Sequence, residues 1–411
     1  MSDLLSRRDL FRVGGMIAIG LTSPRWLSSI AKADVIRRAA GGKAPKDTVL
    51  VVCQLSGGND GLNTVVPYAN KLYYDLRPQL AIGEDKVLKL TNEVGFHPAM
   101  PGLADLYKQG KVAIVQNVGY PRPNRSHFKS MEIWQSASPT TELKHGWIGR
   151  HFDQQAMTGP LNPVVALGLS TDKPHALSGK SASIPCFASL TDIQSMVGDP
   201  DAERMLRQIQ GPDAPAGSAA RVVQQANKAA LDAMAQLSKQ LSGFTPKETY
   251  GNDPFGNGFR QIAHLIATSP QTRVVYFSAG GFDTHARQAE SHERLLTNFS
   301  AGVSAFQKEM EALGKDKNVL VLVFSEFGRR SYENASGGTD HGAAGPMFLI
   351  GSSVKGGLHG PLPDLENLQD GDLKYSIDFR DVYATTLDSW MGGDSEVVLG
   401  QKFNRVDALK V

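Results

Sequence analysis

Val319-Leu320-Val321-Leu322-Val323-Phe324 runs straight into Ser325-Glu326-Phe327-Gly328-Arg329, and Arg273-Val274-Val275-Tyr276-Phe277 leads two residues later into Gly280-Gly281-Phe282-Asp283-Thr284-His285. Unbroken β-branched and leucine runs of this length read as strands buried on both faces, the pattern of parallel sheets covered by helices. In open α/β sheets the carboxyl ends of such strands border the ligand crevice. Carboxylates and imidazoles delivered there have the chemistry of a metal or acid/base site, and Gly338-Thr339-Asp340-His341-Gly342 adds a third cluster shortly after the second run.

Working outward, Val49-Leu50-Val51-Val52-Cys53-Gln54-Leu55 is another strand, ending at the turn signal Ser56-Gly57-Gly58-Asn59-Asp60-Gly61. The spacing predicts a helix over Pro98 to Gln109, a strand over Val112 to Asn117, a helix over Ser126 to Ser136 and a strand over Val164 to Leu169. After a helix to Thr268 and the strand at Arg273 come a long helix over Ala289 to Leu313, the strand at Val319 and a final amphipathic helix over Phe379 to Met391. The alternation argues for an α/β fold, a doubly wound and mostly parallel sheet with helices on both faces, in a single domain spanning 34–411. Residues of about 199–243 break the rhythm: Val223, Ala226, Ala230, Met234, Leu237 and Leu241 recur at helical spacing, which predicts a helical insertion, a cap beside the sheet or a plain covering layer.

The first 33 residues stand apart. Ser6-Arg7-Arg8-Asp9-Leu10-Phe11-Arg12 precedes an apolar stretch from Val13 to Leu21, too short to span a bilayer, and Ala31-Lys32-Ala33 suits a small-residue cleavage site. The segment resembles a twin-arginine signal peptide. That resemblance implies export in the folded state through the twin-arginine translocase to the periplasm or beyond. Removing its five basic residues and two acidic residues from totals of 43 and 41 leaves 38 and 39, so the apparent charge of +2 becomes −1. Nucleic-acid binding needs a concentrated excess of Lys and Arg and loses its compositional support. No later stretch reads as a membrane span. The two cysteines, Cys53 and Cys186, read as buried thiols, with one disulfide open to them in an oxidising compartment.

Three strand ends therefore carry Asp60, then Asp283 with His285, then Glu326 followed by Asp340 with His341. A divalent cation needs several oxygen or imidazole ligands converging from different segments, and these six supply them. Zinc, calcium and manganese all suit such a set. Ser126, after Pro123-Asn124-Arg125, suits both a helix N-cap and a nucleophile.

Taken together, the twin-arginine leader, Leu55-Ser56-Gly57-Gly58-Asn59-Asp60-Gly61-Leu62-Asn63, Arg125-Ser126-His127-Phe128, Gly281-Phe282-Asp283-Thr284-His285, Ser325-Glu326-Phe327-Gly328-Arg329 and Gly338-Thr339-Asp340-His341-Gly342 resemble the bacterial family catalogued as domain of unknown function 1501. That family is similar to the alkaline phosphatase and sulfatase superfamily. The resemblance implies a metal-dependent hydrolase of phosphate or sulfate esters, on small molecules or glycans. It assigns Asp60, Asp283, His285, Glu326, Asp340 and His341 to metal, Ser126 to the nucleophile, His127 to a proton donor, and Arg329 or Arg330 to clamping a tetrahedral oxyanion or pairing Glu326. Glu326-Phe327 stands where the superfamily has aspartate followed by histidine, so one metal is expected rather than two. The alternatives are a non-catalytic ligand-binding protein and a partner in an envelope assembly, both on the same fold.

Overall fold

The computed structural model describes residues 47–410 except 141, 192, 194–203, 205–212, 216–217 and 242. The leader expected over residues 1–33 and much of the first half of the 199–243 segment lie outside the described residues.

Among the described residues, nine strands form the main sheet: β1 (Val49–Leu55), β2 (Val112–Gly119), β3 (Ala166–Leu169), β4 (Cys186–Phe187), β5 (Val274–Ala279), β6 (Val319–Phe324), β7 (Gly345–Ile350), β8 (Gly357–His359) and β9 (Ile377–Asp378). They are ordered β8-β2-β7-β6-β1-β5-β3-β4, with β9 also pairing β2. β1 pairs in parallel with β5 and β6, placing Leu55 opposite Ala279 and Gln54 opposite Phe324. β7 alone runs antiparallel to both its neighbours, β2 and β6. The sheet is thus mostly parallel, as the apolar runs require, and every residue of β1, β2 and β6 is buried.

Alternation along each strand divides the core in two. Val49, Val51, Cys53 and Leu55 face α1 (Pro101–Lys108) and three further helices, α4 (Ala219–Gln240), α5 (Pro254–Thr268) and α6 (Gln288–Ala312), through Leu103, Leu237, Phe259 and Phe299. Leu50 and Val52 face α2 (His127–Ser136), α3 (Trp147–Ala156) and α7 (Phe379–Thr385), through Trp134, Trp147 and Tyr383. In the 199–243 segment, α4 buries Leu231, Ala233, Met234 and Leu237. The helix predicted over Phe379 to Met391 is α7 continued by a π-helical turn over Thr386–Trp390. No described helix is long and apolar enough to cross a membrane. Cys53 and Cys186 are both free thiols.

His151 of α3 is buried with its Nδ1 unpartnered, and burial pushes its imidazole down to about 4. Below pH 6.5 the unfolded chain takes up a proton at this residue that the native fold refuses, so stability falls as pH drops and the loss is complete near pH 4. The contribution is about 3 kcal/mol. Urea unfolding at pH 7 and pH 4 should show the wild type losing about that much more than His151→Leu; equal losses would refute it.

Candidate metal centre

The site is assembled on one edge of the sheet, where β1, β2, β5 and β6 end and antiparallel β7 begins. Two glycines let the loops close on one another. Gly57 and Gly58 adopt φ of +121° and +82°, and a Cβ on Gly57 would stand 2.4 Å from the Asp283 amide nitrogen. On Gly58 it would stand 2.4 Å from the Phe327 ring. Only glycine tolerates both the conformation and the approach.

Three imidazoles converge on Asp283. His341 Nε2 lies 2.9 Å and His285 Nε2 3.0 Å from Asp283 Oδ1, and His127 Nε2 lies 3.4 Å from Oδ2. Each ring is pinned from its other side. His127 Nδ1 donates to Glu326 Oε1 at 2.9 Å, His285 Nδ1 to Asp340 Oδ1 at 2.9 Å, and His341 Nδ1 to the Arg125 carbonyl at 2.7 Å. An acceptor oxygen at Nδ1 demands the proton there, which leaves the Nε2 lone pair bare in a neutral ring. Those lone pairs crowd together: His285 Nε2 and His341 Nε2 are 2.9 Å apart, and the buried His127 Nε2 makes no hydrogen bond. Among the described residues, His127, Asp283 and His341 bring one donor atom each within 4.8 Å of one another. Converging lone pairs and a carboxylate repel unless a cation or a proton sits among them, and histidines oriented through Nδ1 are how proteins prepare metal ligands.

The charges fit this use. Partial burial alone would raise the Asp283 carboxyl, but the hydrogen bond and positive charge of Arg329 hold it well below the usual carboxylate range, so it stays ionised. The His285 bond likewise lowers Asp340. The Glu326 hydrogen bond raises the His127 imidazole, against burial that lowers it. Glu326 is fully buried and also accepts the Gly57 amide at 2.8 Å.

The predicted residues separate into layers. Asp283, His285 and His341 meet directly, with His127 joining them as a fourth donor; Asp340 and Glu326 stand behind His285 and His127. Asp60 stands apart from these: it is 1% exposed and ion-paired with the fully buried Arg77 at 2.6 Å. Asn63 and Gln288 donate to it as well. Burial would raise its carboxyl, but Arg77 lowers it, so its charge is spent inside the fold. Gln288 in turn accepts from Thr284 and Thr339, tying Asp60 to the segments that carry Asp283 and Asp340.

Arg329 packs in the interior. Its side chain is fully buried, and its guanidinium donates to the carbonyls of Gly57, Gly58, Phe282 and Thr339 and to Asp283. It ties three loops together instead of presenting donors to an anion, and its carboxylate partner is Asp283 rather than Glu326. Arg330 donates to the Asp370 carbonyl and lies 3.7 Å from Asp372. Ser126 occupies the N-cap position of α2, exposed, with its hydroxyl making no capping bond. Sequence reasoning missed the convergence of His127 on Asp283 and the pairing of Arg77 with Asp60. His127 directly follows a flagged serine, whereas Leu76-Arg77-Pro78 carries no signal at all.

The sequence matches the family described as Protein of unknown function (DUF1501) over residues 46–405, and the chain belongs to that family. Among curated proteins, no sequence matches it. Similar solved structures include the PsFucS1 sulfatase from Pseudoalteromonas sp., at 10% identity and a TM-score of 0.39, covering 94% of this chain and 75% of that one. The C-terminal periplasmic domain of EcEptC from Escherichia coli is 12% identical at a TM-score of 0.39, over 88% of this chain and 90% of that one. A protein of the alkaline phosphatase superfamily from Vibrio parahaemolyticus is 8% identical at 0.39, over 87% and 70%.

Proposed function

We propose that this DUF1501 protein is an exported, metal-dependent hydrolase of phosphate or sulfate esters. The observation that carries the reading is the convergence of three Nε2 atoms on Asp283, each ring fixed by an acceptor at Nδ1. His127, Asp283, His285 and His341 are the residues to hold one divalent ion, and an imidazole-rich set with one carboxylate favours a zinc-type ion over calcium or magnesium. Such an ion, when bound, polarises a phosphoryl or sulfuryl oxygen and offsets charge developing on the transferring group.

The protein's own groups do the rest. Asp283 is ionised and Arg329 fixes its position from the buried side. Glu326 and Asp340 keep the Nδ1 protons on His127 and His285, which commits His127 to ligation in place of the proton donation the resemblance implied. Ser126, exposed immediately before His127, is the proposed nucleophile. The twin-arginine leader supports export in the folded state. A second reading, a site that binds without turnover, is favoured by one observation: the guanidinium of Arg329 is consumed by backbone carbonyls.

Elemental analysis of protein purified from the periplasm tests the metal, and protein that neither retains nor takes up a divalent ion ends the hydrolase reading. With metal bound, a panel of phosphate and sulfate esters should give turnover that Ser126→Ala abolishes at unchanged metal content. Equal turnover by both proteins would remove Ser126 from the reaction.

A further inference from the structure

Arg125 meets the site by its main chain and pairs with a buried carboxylate by its side chain. Its carbonyl accepts the His341 Nδ1 proton, while its Nε and Nη2 both donate to Asp372 Oδ2, the former at 2.9 Å. Asp372 is 3% exposed, and its other oxygen makes no hydrogen bond, with Arg330 Nε 3.7 Å away. The Arg125 side chain is 39% exposed, and its Nη1 donates to no described residue. It immediately precedes Ser126 and stands two residues before His127. Arg329 is sealed within the fold and Arg330 is turned toward the Asp370 carbonyl and the Tyr332 ring.

Burying a carboxylate is costly, and a buried ion pair adds little net stability by itself. What Asp372 does supply is direction. By gripping the Nε and Nη2 edge, it fixes a planar fork on a side chain 39% exposed, with Nη1 uncommitted to any described residue, the preorganised state in which guanidinium binds phosphate-like oxygens.

We infer that Arg125, oriented by buried Asp372, is the anion-binding residue of this site, and that its ligand is a tetrahedral oxyanion, the phosphoryl or sulfuryl group of an ester. Arg125 is a specificity residue in contact with the ligand; Asp372 is a positioning residue. The inference rests on the proposed function for the identity of the ligand, but the contact itself needs no metal.

Inorganic phosphate and inorganic sulfate, titrated calorimetrically into the full chain with and without added zinc, provide the test. Wild type should bind at least one of them, and Arg125→Ala should weaken that binding about 10-fold or more in both states, the scale of a charge-assisted hydrogen bond. Zinc stoichiometry should not change, because the bond to His341 comes from the Arg125 main chain. Arg125→Lys should restore only part of the affinity, since a point charge lacks the fork, and Asp372→Asn should lose part of it with Arg125 still present. Where Arg125→Ala does not fold, Arg125→Gln combined with Asp372→Asn removes both charges together and should lose anion binding equally. Wild-type affinity in the Arg125 variants, or no binding of either anion by wild type, overturns the assignment. If zinc fails to bind while anion binding still depends on Arg125, the hydrolase reading falls and the anion site stands.

Discussion

Arg77→Met is expected to destabilise the protein by about 3–5 kcal/mol, the cost of leaving a buried charge without its partner. The guanidinium is fully buried, and besides the 2.6 Å bond to Asp60 it donates to the Ser331 and Arg330 carbonyls and to Asn63. Methionine fills much of the same space but returns none of these bonds. Asp60 would then be an ionised carboxylate in the core, held by Gln288 and the Asn63 amide alone. Chemical denaturation of the single variant and of Arg77→Met combined with Asp60→Asn measures the coupling. The double variant should regain a large part of the loss, because no charge remains to be buried. The same proteins separate two assignments of Asp60: Asp60→Asn should retain the metal content of wild type, whereas loss of metal would return Asp60 to the ligand set.

Much of this arrangement is legible in the residues. Runs such as Val319 to Phe324 admit few environments other than a doubly covered strand, and the chain direction of parallel strands then places Asp283, His285 and Glu326 on one edge. His341 reaches that edge differently. It precedes β7, whose Gly345-Pro346-Met347-Phe348-Leu349-Ile350 reads equally as a turn followed by a short apolar run, and only the antiparallel pairing with β2 and β6 brings its start beside the other strands' ends. The fates of Asp60 and Arg329 are not legible. Whether a carboxylate at a strand end faces a ligand or a buried arginine depends on where Arg77 lands. An arginine spent on the carbonyls of Gly57, Gly58, Phe282 and Thr339 cannot be recognised from side-chain types, because every residue has a carbonyl. The two-sidedness of the histidines is hidden for the same reason: Arg125 holds His341 through its main chain, which any residue would supply.

Glu326→Gln should weaken binding of the proposed metal about 10- to 100-fold, the usual penalty for altering a group that orients a liganding histidine. Glu326 Oε1 accepts both the Gly57 amide and the His127 Nδ1 proton, so an amide oxygen at the same place keeps the geometry and removes the charge. The loss isolates the electrostatic part, through which a buried carboxylate makes His127 a stronger ligand. Glu326→Ala should lose more, since His127 is then free to turn and the Gly57 amide is left unpaired beside the Asp283 loop. Asp340→Asn, the matching change behind His285, should cost less than Glu326→Gln. Asp340 is 53% exposed, so water screens its charge and replaces its hydrogen bond, while Glu326 is fully enclosed. Metal affinities of the three variants, measured by competition with a chelating dye, test the order. Equal losses at Glu326 and Asp340, or a greater loss at Asp340, would place the ion on the exposed His285 side and away from His127.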